Sequence, residues 1–265
     1  LRFLAAILVV AFHFRSRLFT DNGWDTPSFV EIGYSGVTFF FILSGFILAH
    51  NYWRTDFSQR GNLSKFIRAR IARIYPVYVL SLLIALPFYF VDLGRTGAAD
   101  LVSYKLMSLV LAPLALQAWV PGAACALNCP AWSISNEFFF YALLPLVIGG
   151  VIRAPIRWLC VAIAGLIAVD TGTSALWIHF GYGSLVSTDL GEPTFVMLLK
   201  QFIKMFPAVR MFEFILGIVL FAVWQRPRKR LSTAGLVFAS MIGATLLHIG
   251  VADFAEPLLH NGLTA

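Results

Sequence analysis

Charge is what this chain of 265 residues has least of: Asp, Glu, Lys and Arg make up 12% of it and hydrophobic residues 59%. Soluble proteins carry about 25% charged and about 45–50% apolar residues. At a mean hydropathy of +0.81 there is too little polar side chain to cover a water-exposed surface, and a soluble fold is excluded. Cysteine is nearly absent, with three in the chain, which rules out a disulfide framework. Cys125 and Cys129 flank a short Ala-Leu-Asn turn and either pair on an oxidising side or stand as two free thiols. His50, His179, His248 and His260 have no metal-ligand spacing such as HExxH, so no metal is expected. A glycine loop of the P-loop kind, an internal repeat and a low-complexity linker are missing too, and residues 1–265 are read as one domain.

Long uncharged runs are what the chain does have. Residues 32–53, 74–91, 106–136 and 231–252 each reach the roughly 18–20 residues needed to cross hydrocarbon. They do not alternate in ten-residue segments, which excludes a β-barrel. The apolar start carries Arg2 and His13 and no small-residue cleavage site, which argues against a cleaved signal peptide.

Arg54, Arg60, Lys65, Arg68, Arg70 and Arg73 form one basic cluster, and Arg226, Arg228, Lys229 and Arg230 a second. Both are expected in cytoplasmic loops, so the net charge of +7 is a topology signal and not a sign of nucleic-acid binding. The first helix then runs outward, residues 33–50 return, and 74–91 leave again. Residues 101–119 either cross fully or, as Pro113, Pro121, Gly122 and Pro130 favour, come in and go out by one face as broken backbone. In the re-entrant version 131–149 run inward, Arg153 and Arg157 are cytoplasmic, and 158–178 run outward. Residues 179–209 follow as an external excursion with a short amphipathic helix, 195–206, whose polar side carries Lys200 and Lys204. Residues 210–224 return and 231–250 leave. The expected fold class is all-α, a polytopic transmembrane helix bundle with seven to nine spanning segments, one of them re-entrant.

Four constellations carry candidate chemistry. Arg2 and His13 lie eleven residues apart in an otherwise apolar stretch, which puts them on one helix face about 16 Å apart. Ionisable groups in such a helix are costly and face a bundle interior or a water-filled cavity. The plain reading is a snorkelling Arg with an interfacial His; the other makes His13 a general base, since neutral imidazole accepts a proton near neutral pH. Gly33, Ser35, Gly36, Ser44 and Gly45 form a small-residue stretch suited to close helix packing. Arg68, Arg70 and Arg73 precede Pro76, and three Arg suit the planar, bidentate recognition of phosphate. The run from Trp132 to Glu137 leads into uncharged residues 138–152, and Ser133, Glu137 and Tyr141 stack at a spacing of four. Ser133 and Ser135 read as helix caps with Glu137 favoured by the helix dipole; alternatively Glu137 orients a catalytic His. Arg210 and Glu213 can pair at a spacing of three, and Asp170 is either a helix end or an intramembrane polar site.

Together these patterns resemble acyltransferase family 3, the integral-membrane O-acyltransferases. Arg2 and His13 match the family's Arg–ten residues–His signature, and residues 33–46 its glycine-rich second helix. Arg70, Arg73, Ile74 and Pro76 match its RxxR ahead of Ile-x-Pro. Trp132 to Glu137 match Trp-Ser-Leu-x-x-Glu, with Ile134 in place of Leu, and Arg210, Phe214 and Gly217 a later Arg-x-x-x-Phe-x-x-Gly pattern. The resemblance implies transfer of an acyl group, often acetyl, from cytoplasmic acyl-CoA to a hydroxyl, commonly on a surface polysaccharide, peptidoglycan or lipid-linked glycan. Members usually have more helices than this chain holds, so it is expected to lack the last few and some residues before Leu1.

Under that resemblance Arg68, Arg70 and Arg73 hold the phosphates of acyl-CoA at the inner face, with Arg2 nearer the thioester. His13 takes the proton of the acceptor hydroxyl, and Glu137 orients the imidazole or binds the sugar. Trp132, Ser133, Tyr141 and Ser44 are expected to bind substrate, although Ser44 and Ser133 carry no signature of an activated nucleophile. The expected partners are acyl-CoA, a cell-envelope glycan and the bilayer of a bacterial inner membrane, with no metal and no nucleic acid. The rival reading is a transporter or flippase of an anionic or glycan substrate, with Arg2, His13 and Glu137 as its polar pathway.

Overall fold

The computed structural model describes residues 2–27, 30, 32–95, 99–179 and 194–226. Every regular element among them is helical: α1 (Arg2–His13), α2 (Arg15–Leu18), α3 (Gly36–Tyr52), α4 (Arg60–Arg95), α5 (Ala99–Leu111), α6 (Trp132–Arg153), α7 (Ile156–His179), α8 (Thr194–Met205) and α9 (Pro207–Trp224). Short 3-10 turns sit at Thr20–Asn22, Ile32–Ser35, Gln117–Trp119 and Cys129–Ala131. The expected crossing at 231–250, with Arg228, Lys229, Arg230, His248 and His260, lies outside the described residues.

The chain falls into two compact units. The first draws on Leu1–Asn51, Gly150–Ile178 and the described part of Phe212–Ala265. Here α1 rests on the Ile32–Ser35 turn and the start of α3. A Cβ on Gly33 would stand 2.4 Å from the Leu8 carbonyl oxygen, and one on Gly36 2.7 Å from Val9 Cγ2, so the small-residue stretch serves close packing as expected. Farther along, α3 crosses α9 at Gly45 and Gly217. A Cβ on Gly45 would lie 2.0 Å from the Phe214 carbonyl oxygen, and one on Gly217 2.0 Å from that of Ile42. The Gly217 of the later motif is thus a packing requirement. α3 is apolar all round because it is surrounded, with Phe41, Ile42, Leu48 and Ala49 all buried.

The second unit draws on Tyr52–Gly149 and His179–Met211. Its backbone is α4, whose 36 residues extend about 54 Å, against a hydrocarbon thickness of about 30 Å. The surplus carries the basic cluster: Lys65, Arg68, Arg70 and Arg73, expected in a loop, are helical and continuous with the apolar part. α5 runs antiparallel to α4. Lys105 pairs with Asp92 at 2.5 Å, and just past the end of α5 the Ala112 and Pro113 carbonyls accept from Tyr78 and Tyr75, at 2.5 and 2.9 Å. α6 is antiparallel to α4 as well, with Phe138 6.3 Å from Tyr75 and Tyr141 6.2 Å from Phe66.

This bears on the expected re-entrant hairpin. α5 ends after 13 residues, about 20 Å, too short to cross. The chain then turns at Ala115, which takes a left-handed φ of +54°, and α6 resumes beside the same stretch of α4, running in the same direction as α5. Residues 101–153 therefore run as a short helix, a stretch of irregular backbone that doubles back along it until Gly122 lies against the Tyr104 ring, and a second helix parallel to the first. Broken backbone at such depth needs internal hydrogen-bond partners. Gln117 donates to the Ala131 carbonyl at 2.9 Å, Ser135 to that of Ala115 at 2.7 Å, and Asn128 to Ser81 at 3.2 Å. Cys125 and Cys129 are joined as a disulfide across the turn, which decides between the two sequence alternatives.

Among the described residues three helices are long and apolar enough to cross a membrane: Gly61–Gly94, Cys129–Arg153 and Phe195–Trp224. Phe3–His13 with Arg15–Asn22, bent by 80°, would add a fourth if counted as one span. That is fewer than the seven to nine expected. The apolar helices Gly36–Tyr52, Leu101–Leu111 and Ile156–Val169 fall short in length.

Candidate functional site

His13 ends α1, one helical row beside the residues that pack on Gly33 and Gly36. Eleven residues return the helix to within about 20° of its starting direction, so Arg2 shares that row. His13 is exposed, and its Nδ1 lies 2.7 Å from the Val9 carbonyl oxygen. A carbonyl only accepts, so Nδ1 carries the proton and Nε2 presents its lone pair. The Phe12 ring stands edge-on to the imidazole at 5.6 Å. These contacts set the tautomer a general base needs.

In the second unit, residues from two separate motifs converge. Tyr141 donates to Glu137 Oε1 at 3.1 Å, one turn apart on α6, as the spacing of four required. Arg70 and Arg73 lie on α4 between Phe66 and Tyr75, whose rings pack against Tyr141 and Phe138 of α6. Arg70 is half-buried, with Nη2 3.4 Å from the Tyr52 hydroxyl and Nε buried without a partner. Arg68 and Arg73 are exposed, Arg68 reaching only the Ser64 carbonyl at 3.4 Å. A row of guanidinium groups on α4 near a carboxylate–phenol pair on α6 suits an anionic ligand.

The remaining expected residues fall differently. Trp132 is buried. Ser133 and Ser135 do not act as caps: their hydroxyls donate to the carbonyls of Pro130 and Ala115, at 3.0 and 2.7 Å, tying the helix start to the broken turn. Ser44 is buried within α3, next to the Gly45 crossing. Arg2, His13 and Ser44 belong to the first unit; the arginines, Trp132, Ser133, Glu137 and Tyr141 belong to the second.

Two buried polar features escaped the sequence. Glu213, which the spacing paired with Arg210, accepts from Thr38 at 2.9 Å, with both side chains buried in the first unit. α8 is the amphipathic helix that was expected, but part of its polar side is buried along with Met197, Ile203 and Met205. Lys200 and Gln201 are buried, whereas Phe195 and Phe202 are exposed. A polar stripe at helical spacing reads alike whichever way it faces, so only α8's neighbours could decide. Gln201 Oε1 accepts from the Gly122 N–H at 2.7 Å, in a turn where Gly122 has φ +96° and lies against the Tyr104 ring. Gln201→Leu is expected to strand that donor and destabilise the protein by about 1–3 kcal/mol, read from thermal unfolding in detergent.

Comparison with known proteins places this arrangement. The sequence model of a family described as an acyltransferase domain matches residues 1–263. The chain belongs to acyltransferase family 3. Within that setting it is 32% identical over 259 residues to "Acyltransferase MdmB" of Streptomyces mycarofaciens, covering 92% of this chain and 62% of that protein. It is also 33% identical over 122 residues to "Protein 2 in picA locus" of Rhizobium radiobacter, covering 42% of this chain and 63% of that one. The chain thus spans less than two thirds of the length of these curated relatives. No solved structure matches it. The family-3 motifs at Arg70–Arg73 and Trp132–Glu137 are the ones that meet around Tyr141.

Proposed function

We propose that this family-3 acyltransferase is a multi-pass enzyme of the bacterial inner membrane that moves an acyl group, acetyl in the simplest case, from cytoplasmic acyl-CoA to a hydroxyl of a cell-envelope glycan. The reading rests on one observation above all: the Tyr141 hydroxyl donates to Glu137 on α6, which packs through Tyr141 and Phe138 against Phe66 and Tyr75, the residues of α4 on either side of Arg70 and Arg73. Arg68, Arg70 and Arg73 bind the phosphates of the donor, and Arg2 is assigned to its thioester. The oxygen of the acceptor hydroxyl bonds to the acyl carbon while the thioester C–S bond breaks. His13 takes the hydroxyl proton on Nε2 and passes it to the departing CoA thiolate. Glu137, held by Tyr141, positions the acceptor, with Trp132, Ser133 and Ser44 on the substrate path. The basic end of α4 faces the cytoplasm, and the Cys125–Cys129 turn belongs to the oxidising side, where disulfides persist.

The deciding experiment supplies acetyl-CoA and an envelope-glycan acceptor to the purified protein and follows free thiol. Protein-dependent release of CoA with acetylated glycan is expected; vectorial uptake of substrate without CoA release would establish the transporter reading instead. Arg70→Ala and Arg73→Ala are each expected to raise the donor KM by about tenfold or more, since a hydrogen bond to a charged group contributes about 1.5–3 kcal/mol. An unchanged donor KM in both variants removes the phosphate assignment.

A further inference from the structure

One cluster at the basic end of α4 has no part in the transfer step. Tyr52 closes α3, Phe57 lies in the turn that follows, and Phe66 stands one turn before Arg70. Their rings touch in sequence: Tyr52–Phe66 at 4.8 Å, Phe57–Phe66 at 5.4 Å and Tyr52–Phe57 at 6.2 Å. Phe66 is buried, whereas Tyr52 and Phe57 are half-buried and keep open surface. The guanidinium carbon of Arg70 lies 5.8 Å from the Tyr52 ring centre, and Nε of the same group is the buried donor without a partner. The turn is also pre-formed. Asp56 Oδ1 accepts from the Ser58 N–H and hydroxyl at 3.0 and 2.7 Å, Oδ2 from Gln59 at 3.2 Å, and the Asp56 carbonyl from Asn62 at 3.0 Å.

Interfacial aromatics that anchor a helix to lipid turn their polar rims toward the headgroups. Here the Tyr52 hydroxyl is turned onto Arg70 instead, and the rings are braced from behind by Phe66. A braced, half-open aromatic surface beside guanidinium groups matches a flat heteroaromatic base that carries phosphates. The base stacks on the rings, the cation adds to the stack, and the phosphates meet the arginines.

We propose that Tyr52 and Phe57, backed by Phe66 and flanked by Arg70, form the base-stacking subsite for the adenosine end of the acyl-CoA donor. The subsite rests on the acyl-CoA reading and extends it from phosphate recognition to the nucleotide base. Arg68 and Arg73, exposed on the same helix, then take the phosphates nearest the ribose. Such a site accepts adenosine 3′,5′-bisphosphate, which has no pantetheine arm and no acyl group.

The test compares wild type, Tyr52→Leu and Tyr52→Phe in nanodiscs, with acetyl-CoA and acetyl-pantetheine as alternative donors and adenosine 3′,5′-bisphosphate as competitor. Loss of a base–aromatic stack should raise the acetyl-CoA KM of Tyr52→Leu about tenfold and weaken the competitor by a similar factor. The acetyl-pantetheine KM should move by less than about twofold, because that donor has no base to stack, and Tyr52→Phe should restore acetyl-CoA binding. An unchanged acetyl-CoA KM in Tyr52→Leu overturns the subsite, and so does an equal rise for both donors, which would mark Tyr52 as packing alone. Wild type that releases CoA from neither donor fails one step earlier, at the acyl-CoA reading, and takes the subsite with it.

Discussion

Replacing His13 with alanine should lower acyl transfer by about 10²–10⁴-fold, the range over which a positioned acid–base group acts. The expectation follows from the hydrogen bond at Nδ1. The Val9 carbonyl can only accept, so it fixes the proton there and leaves Nε2 as a base. Alanine removes the lone pair, and asparagine or glutamine presents an amide that cannot take up a proton at neutral pH. Both replacements should therefore fail alike. His13 is exposed, so unfolding temperatures should scarcely move, a surface change being within about 0.5 kcal/mol. Thiol release and thermal unfolding measured on one preparation separate the two effects. Turnover near the wild-type rate in His13→Ala would remove the imidazole as the base.

The largest effect on stability should come from Gly45→Ala and Gly217→Ala, where α3 and α9 cross. Each new methyl would be built 2.0 Å from a main-chain carbonyl oxygen, that of Phe214 or of Ile42. Overfilling a packed core costs about 1–3 kcal/mol when side chains can yield. Here the obstacle is backbone on both sides, so the helices themselves must separate, and the loss should reach or exceed the top of that range. Gly150→Ala is the control. Nothing stands within 4 Å of its would-be Cβ, and the helical position should gain about 0.5–1 kcal/mol from the lost glycine entropy. Fluorescence-detected gel filtration and thermal unfolding read both directions. A Gly45→Ala protein as stable as wild type would show that the crossing is looser than described.

Several elements of the site were legible from residue spacing because they lie within one helix. The Glu137–Tyr141 bond follows from four residues at 3.6 per turn, and the shared row of Arg2 and His13 from eleven. The seating of α1 on Gly33 and Gly36 was legible in kind, since small residues in an apolar stretch signal close approach. Other features were not legible, for a common reason. Phe66 packs on Tyr141, Thr38 donates to Glu213, and Gln201 holds Gly122, each through a contact between segments far apart in the chain. Arg210 and Glu213 show the hazard of a local rule. Their spacing permits a pair, but Glu213 also has the Thr38 hydroxyl from a distant helix.

The sequence alone determined the solvent in which this protein folds, the apolar helices, the order of the family motifs and the residues that share each helix face. These follow from composition and from the fixed pitch of the α-helix. Tertiary structure decided which way each face points: α8 buries Lys200 and Gln201, and the irregular backbone after α5 doubles back to lie against Tyr104. The physical reason is that helical geometry is set by neighbours in the chain, whereas burial is set by what covers a surface. In a membrane apolar side chains are at ease on either side, so hydrophobicity no longer says which face is the inside. That choice falls to the buried polar groups, which must find partners wherever the rest of the chain provides them.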